Sequence, residues 1–235
     1  RNARILFMEE NFRSDANIVS AADRFIQKNS LRHEKHMRAS KSAVSEIQEI
    51  VLKSRRAQYP YLAKVAQNCR KQTAVLYRDH ECALPLIDLL ERDQIPYRLH
   101  QAGFGFFSHR TVLDIENIIR LALNPKDVDA FALKIAEISQ SQNLSVFDAA
   151  AGYGLLSDLS MYRLRDIRTQ FTYLLQETGE KAIKRIEQRI GYRDYLERAQ
   201  IGDGKLFLLK TIGAREKSAQ DFLQRMGYLQ ELLLH

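Results

Sequence analysis

The sequence predicts an α/β fold in which a parallel sheet with flanking helices is followed by a mostly α-helical domain. Up to about residue 107, short extended runs alternate with helical runs, a pattern typical of a parallel sheet covered by helices. Beyond that point the strand pattern stops and only helical spacing continues. The chain has 235 residues, 45% of them hydrophobic, and is therefore long enough to bury a core. The segment Gly103–Phe107 marks the change, so we expect domains of residues 1–107 and 108–235.

The predicted strands of the first domain are rich in β-branched and aromatic residues. Helices are predicted between them, over residues 15–29, 58–70 and 81–93. The last of these should end before Ile95-Pro96, because a residue that precedes proline disfavours the helical conformation. The four predicted strands are Ile5–Met8, Ile47–Leu52, Thr73–Tyr77 and Tyr97–Leu99.

The second domain shows apolar residues three and four positions apart, the spacing of a helix with one buried face. The pair Asn124-Pro125 should end the first of its helices. The five predicted helices are centred on Val112–Ala122, Phe131–Ile138, Met161–Leu174, Ile183–Ile190 and Phe222–Leu233.

The charge of the chain favours a polyanionic partner such as nucleic acid. The formal net charge is +7, and residues 1–107 carry +6 of it while residues 108–235 carry +1. No stretch reaches the roughly 18 apolar residues of a membrane span and no signal-peptide pattern is present, so we expect a cytoplasmic protein. Cys69 and Cys82 are expected to be reduced packing residues. The chain begins with Arg1, and we expect it to be a piece of a longer protein.

The tetrapeptide Asn11-Phe12-Arg13-Ser14 carries the clearest functional signal. It lies between an extended run and an amphipathic helix, and an arginine at such a turn can reach a phosphate with forked, permanently charged donors. The preceding phenyl ring of Phe12 can stack on a base. The alternative is an ordinary helix start, with Ser14 as the cap and Arg13 in a surface ion pair.

Other catalytic patterns are absent or incomplete. Gly204-Lys205 fails the GxxxxGK[ST] pattern because Ala199 stands at the first glycine position and Leu206 follows the lysine. His33-Glu34-Lys35-His36 could bind a metal ion, but a solvated charged turn is the favoured interpretation and we expect no metal site.

Several motifs, taken in order, resemble the UvrD/Rep/PcrA-type superfamily 1 DNA helicases. Asn11-Phe12-Arg13-Ser14-x-x-Asn17-Ile18-x-x-Ala21-Ala22 resembles the N-Y-R-S-x-x-N-I-x-x-A-A segment of that family. Thr73–Arg78 is similar to its "AILYR" strand, Ile95–Tyr97 to its "IPY", and Ala102–Asp114 to its "GGxxFFxRxEIKD". The resemblance covers roughly residues 4–133 and is only a general helical similarity afterwards.

This resemblance implies a fragment of an ATP-dependent 3′-to-5′ DNA helicase: part of the second RecA-like domain (2A, residues 1–107) and the helical 2B insertion (residues 108–235). ATP and Mg²⁺ would bind only in the full-length protein, so the isolated chain is expected to be inactive. Arg13 would contact the γ-phosphate as an arginine finger. Phe12, where the family has tyrosine, would stack on adenine.

The resemblance also implies nucleic-acid contacts by Arg78, Phe106, Phe107, His109 and Arg110, because cationic groups follow phosphates and aromatic faces stack on bases. The partners implied are single-stranded DNA and single-strand/duplex junctions, the first RecA-like domain, and repair or nuclease proteins.

Three arginines of the family pattern are missing, since their positions hold Leu84, Gly105 and His109. The "RGIG" element is missing too, and Ile135–Ser139 lies where it would be expected. These departures favour an alternative, a helicase-derived DNA- or protein-binding module without motor function.

Overall fold

The computed structural model describes residues 6–31, 35–44, 46–100, 105–124, 169–190 and 192–234. The chain divides into two compact units, Arg1–Lys53 (unit 1) and Ser54–His235 (unit 2). This division lies before residue 107, because Ala83, Leu84, Ile87, Phe106 and Phe107 share a hydrophobic core with the later helices. The assignment of residues 1–107 and 108–235 to the 2A and 2B domains stays a prediction.

Unit 1 is a small parallel βαβ element. Strand β1 (Glu10–Asp15) leads into helix α1 (Ala16–Ile26), and strand β2 (Arg38–Lys41) returns beside β1 in parallel. Glu10 pairs with Arg38 and Asp15 with Lys41, with an irregular register between Asn11 and Asp15. A helix is the usual connection between parallel strands. The predicted α/β class, parallel pairing and first helix are thus confirmed.

The predicted strand positions are wrong. The first strand begins at Glu10, so Asn11–Ser14 lies on the strand rather than on a turn after the strand Ile5–Met8. Residues 46–52, 73–77 and 97–99 form no strand, and β2 was not predicted. A strand requires a hydrogen-bonded neighbour, which side-chain composition does not supply. The exposure of Val51 (88%) and Leu76 (94%) shows that the described residues do not cover these segments.

Unit 2 is helical throughout its described secondary structure. The predicted helices over residues 58–70, 81–93 and 112–122, and those around Ile183 and Phe222, are confirmed. The helices Tyr192–Arg198 and Gly204–Gly213 were not predicted. Residues 169–175, which overlap the end of the predicted Met161–Leu174 helix, are helical, whereas Phe131–Ile138 lies outside the described residues. The helices are α2 (Gln58–Asn68), α3 (Leu84–Arg92), α4 (Arg110–Leu123), α5 (Gly179–Gln188), α6 (Tyr192–Arg198), α7 (Gly204–Gly213) and α8 (Ala219–Leu234), with 3-10 turns at Arg55–Ala57 and His80–Ala83.

One apolar core joins α3 and α4 to α5, α7 and α8. Two glycines allow α5 and α7 to approach closely, because a Cβ added at Gly179 would lie 2.9 Å from the carbonyl oxygen of Gly213. None of the described helices is long and apolar enough to cross a membrane. The fully buried members of the core include Leu84, Phe106, Ile115, Ile119, Ile183, Ile186, Leu209 and Phe222.

Candidate functional site

The backbone around Arg13 is fixed by side-chain hydrogen bonds. Asn11 Oδ1 accepts from the backbone N–H of Arg13 (3.0 Å) and of Ser14 (2.9 Å), and Lys41 Nζ donates to the carbonyl oxygen of Arg13 (3.0 Å). Asn11 thus forms a local turn within β1, where the strand register is irregular. In a regular strand, neighbouring side chains point to opposite faces of the sheet. Because the register of β1 is irregular between Asn11 and Asp15, Phe12 and Arg13 need not follow this alternation.

The side chains of Phe12 and Arg13 are exposed, Phe12 by 68%. Among the described residues, no carboxylate lies within ion-pair distance of Arg13. The expected Ser14 cap is wrong, because the N-cap of α1 is Asp15, which makes no side-chain cap. The pair is therefore open to an external aromatic base and an external anion.

The apolar face of α1 is also open. On this helix Ile18 is 51% exposed, Phe25 73% and Ile26 44%, whereas Val19 is buried. Burial of a large apolar side chain contributes roughly 1.5–3 kcal/mol, so this face forgoes that stabilisation in the described chain.

Arg78 lies two residues before the 3-10 turn His80–Ala83 and is exposed. Asp79 caps the turn, since its Oδ1 accepts from the backbone N–H of Cys82 at 3.1 Å. Hydrogen bonds from Cys82 lower the pKa of the Asp79 carboxyl, and the charges of Lys205 and Arg78 lower it further. The rings of Tyr77 and His80 meet edge to face at 5.9 Å. Arg78 thus lies on a surface with both aromatic and cationic groups.

Phe106 and Phe107 do not line an open surface. They are 0% and 7% exposed, and their rings meet edge to face with centroids 5.4 Å apart inside the unit 2 core. The expectation that both rings stack on bases is therefore corrected: in this structure they are core residues, because two adjacent phenyl rings gain more from burial than from exposure to water.

His109 and Arg110 lie at the start of α4 near this core. His109 is the N-cap, and its Nδ1 accepts from the backbone N–H of Thr111 at 3.2 Å. Arg110 is exposed, with Nε 3.7 Å from Oδ2 of the buried Asp114. Tyr192 Oη donates to the same oxygen at 2.7 Å. The link from Tyr192 on α6 was not predicted, because a pair 78 residues apart leaves no signal in local sequence.

Two further groups on unit 2 were missed by sequence reasoning. Arg55 lies over the ring of Phe207 with its guanidinium carbon 4.3 Å from the ring centroid. Lys205, in the failed GxxxxGK[ST] pattern, pairs with Glu81 and lies 5.8 Å from the centroid of Phe106. The lysine therefore belongs to the packing of unit 2 rather than to a phosphate loop.

Metal-ligating residues do not converge in the described parts of the chain: no group of three or more His, Cys, Asp or Glu residues is placed to hold an ion there. His36 pairs with Asp23 (Nδ1 to Oδ2, 3.5 Å), while His33 and Glu34 lie outside the described residues. Cys69 and Cys82 are free thiols.

The parallel βαβ element and the helical unit 2 define a mixed α/β chain, and comparison with known proteins gives the family. Residues 6–230 match the model of the UvrD-like helicase C-terminal domain. This match covers most of the sequence, so the chain belongs to the UvrD-like helicase C-terminal domain family.

Similar proteins carry helicase names. The chain is 25% identical to the ATP-dependent DNA helicase PcrA of Staphylococcus epidermidis over 231 residues, which covers 84% of this chain and 31% of the relative. It is 26% identical to the ATP-dependent DNA helicase Rep of Escherichia coli (79% and 30% covered) and 24% identical to the putative ATP-dependent DNA helicase YjcD of Bacillus subtilis (97% and 33% covered). The chain thus spans about a third of the length of these relatives.

Proposed function

We propose that this chain is part of an ATP-dependent DNA helicase that translocates 3′ to 5′ on single-stranded DNA, and that it contributes a γ-phosphate-contacting arginine and part of the DNA track. The membership of the family and the helicase names of the relatives support the activity. The direction of movement is carried by the resemblance of the Asn11–Ala22 motif and by no geometry of the chain.

The observation that carries the proposal is the state of Arg13. Its backbone is fixed by Asn11 and Lys41, its side chain is exposed, and the described residues supply no carboxylate to neutralise it. Such a guanidinium can stabilise the negative charge that develops on a transferring phosphoryl group. The exposed ring of Phe12 beside it fits an adenine base.

ATP supplies the phosphoryl group when it is bound, and we assign no Mg²⁺ ligand to this chain. The contribution of unit 1 is to present a cation and an aromatic face from a fixed strand. On unit 2, the exposed Arg78 and Arg110, with His109, are the proposed contacts to DNA phosphates. Phe106 and Phe107 would hold the start of α4 in place from the core rather than stack on bases.

The experiment joins this chain to a first RecA-like domain that carries a GxxxxGK[ST] loop and measures DNA-stimulated ATP hydrolysis. Arg13→Ala should lower kcat by about 10³, the usual effect of removing an arginine finger. Arg24→Ala is the matched control, because Arg24 is an exposed arginine on the neighbouring α1 and should leave kcat unchanged. Equal rates for Arg13→Ala and Arg24→Ala would remove Arg13 from the catalytic site.

A second candidate is a binding module without motor function. It is favoured by the missing arginines at Leu84, Gly105 and His109 and by the burial of the Phe106 and Phe107 rings. If the joined protein binds single-stranded DNA but hydrolyses no ATP, with its GxxxxGK[ST] loop intact, this second function replaces the first.

A further inference from the structure

Three segments that are distant in sequence meet on one face of unit 2. The 3-10 turn Arg55–Ala57 brings Arg55 to the ring of Phe207 at the start of α7, and the 3-10 turn His80–Ala83 reaches the same helix start through the pair of Glu81 with Lys205. Burial and Asp79 raise the pKa of the Cys82 thiol, and the charge of Arg55 opposes that rise, in agreement with this placement. Arg78 lies two residues before the second of these turns, and both turns contact the start of α7 near the Arg55–Phe207 pair.

Three cations near the start of α7 differ in how they are neutralised. Arg56, with its guanidinium carbon 5.9 Å from the Phe207 ring centroid, donates from Nη1 to Glu180 Oε1 at 2.9 Å. Lys205 is paired with Glu81. Arg55 has no ion pair with a carboxylate among the residues that the structure describes. Its full charge is therefore available to an anion from outside the chain.

The contact with Phe207 also sets the orientation of Arg55. At 4.3 Å from the ring centroid, the guanidinium lies at cation–π distance, which holds the charge without using the N–H donors at the edge of the group. Those donors have the forked geometry that matches phosphate oxygens, although the guanidinium also interacts with the Cys82 side chain. A stacked arginine also loses less side-chain freedom on binding than an unrestrained one.

We infer that Arg55, oriented by Phe207, binds a backbone phosphate of single-stranded DNA and extends the track that begins at Arg78. The inference rests on the proposed function, since it requires that the chain binds DNA. A phosphodiester is the ligand class because the site offers one fixed cation in a basic chain whose family acts on DNA. Arg55 is the phosphate-binding residue, and Phe207 is a positioning residue.

The test is the binding of fluorescent oligothymidylate to the 235-residue chain across a range of salt concentrations. Arg55→Gln should lower the slope of log affinity against log salt by about 0.7, since each phosphate contact with single-stranded DNA releases that many counterions. At about 0.1 M salt this corresponds to an affinity about fivefold weaker. Arg120→Gln is the matched control, because Arg120 is an exposed arginine on α4 with Glu116 3.9 Å away.

Two more variants separate a positioned contact from general electrostatic attraction. Arg55→Lys keeps the charge and should restore most of the salt slope but not the full affinity. In a Phe207→Leu background, which keeps an apolar side chain but removes the ring, Arg55→Gln should weaken binding less than it does in the original chain. An undiminished loss in that background would overturn the positioning role of Phe207. Far-UV circular dichroism checks that each variant is folded.

The results also distinguish the inference from the proposed function. If Arg55→Gln and Arg120→Gln bind alike while Arg78→Gln weakens binding, the Arg55 site is overturned and the DNA track stands. If the chain binds no oligothymidylate even at low salt, both fail together. Loss on Arg55→Gln, with none on Arg120→Gln, supports the site.

Discussion

The buried carboxylate of Asp88 is the centre of an ionic network that links α3 to α8. Arg92 Nε donates to both of its oxygens at 3.1 Å, and Arg225 Nε donates to Oδ1 at 2.5 Å. A second donor of Arg225 reaches the carbonyl oxygen of Asp88 at 3.0 Å. Asp88→Asn keeps the shape of the side chain but removes its charge, so the variant tests how much this network stabilises unit 2.

The magnitude follows from burial. The side chain of Asp88 is 1% exposed, and removing one partner of a fully buried ion pair costs about 3–5 kcal/mol. The cost should be lower here because Arg92 and Arg225 retain 27% and 17% exposure, and because Arg92 keeps its pair with Glu216. We therefore expect Asp88→Asn to lower the free energy of unfolding by about 2–3 kcal/mol.

The assay is urea unfolding followed by far-UV circular dichroism, in which the helices of unit 2 dominate the signal. At about 2–4 °C per kcal/mol for a chain of this size, the expected loss corresponds to a fall in Tm of about 4–12 °C. Asp93→Asn is the matched control: Asp93 is an exposed carboxylate directly after α3, and its replacement should change stability by less than about 0.5 kcal/mol.

A double variant shows whether the pair itself is responsible. Arg225→Gln should add little in the Asp88→Asn background, because the interaction is already lost there. The reasoning is refuted if Asp88→Asn unfolds at the same urea concentration as Asp93→Asn, or if the losses from Asp88→Asn and Arg225→Gln simply add.

Two further predictions concern α5. Burial alone would raise the pKa of the Glu187 carboxyl, but its contacts with Lys210 and Arg193 hold the pKa below its ordinary value of 4.5. Because the pKa is lower in the folded state than in the unfolded state, these contacts stabilise the fold above about pH 4.5. This stabilisation is lost as the pH falls through the folded-state pKa. The stability difference between the original chain and Glu187→Gln should therefore shrink on acidification below pH 4.5, and urea unfolding at a series of pH values checks this; a constant difference would contradict it. Gly179→Ala should destabilise unit 2 by about 1–3 kcal/mol in urea unfolding, since its Cβ would lie 2.9 Å from the carbonyl oxygen of Gly213, whereas Gly204→Ala, with open space around its Cβ, should cost much less.

The helices were predictable because their signal is local. In α4, Val112, Ile115 and Ile119 recur at helical spacing, and all three are fully buried. The same side chains that make the helix amphipathic also form the core, so the pattern reports both features at once. The short runs predicted as strands do not indicate their own packing in this way. A strand also needs a hydrogen-bonded partner elsewhere in the chain, and the run itself does not identify that partner. Val51 and Leu76 belong to runs that were predicted as strands, but both side chains are exposed and neither residue lies in a strand.

The contacts between distant helices could not be predicted at all. Asp88 and Arg225 are 137 residues apart, and nothing near either residue indicates the other. The same holds for Tyr192 and Asp114. Charged residues are usually exposed, so the sequence predicts that they lie on the surface. Only the packing of α3 against α8, or of α4 against α6, brings these partners together and buries them.

Two aromatic motifs show why a sequence pattern cannot by itself assign a stacking role. Phe12 and the pair Phe106-Phe107 were all expected to meet bases, yet Phe12 is 68% exposed while the other two rings are at most 7% exposed. The side chain is a phenyl ring at all three positions. The difference arises because Phe12 lies on a strand of the small unit 1, whereas the pair precedes α4 and closes the core of unit 2.

Arginines divide in a similar way. Arg56, Arg185 and Arg225 each have a carboxylate partner within 2.9 Å, so carboxylates of the same chain neutralise their charges. Arg13 and Arg55 have none among the described residues, and each is nevertheless held in place, Arg13 through its backbone and Arg55 through the ring of Phe207. A cation that is both positioned and uncompensated retains its charge for an external phosphate, at little cost in ordering. That combination connects the nucleotide contact proposed for unit 1 with the DNA contact proposed for unit 2.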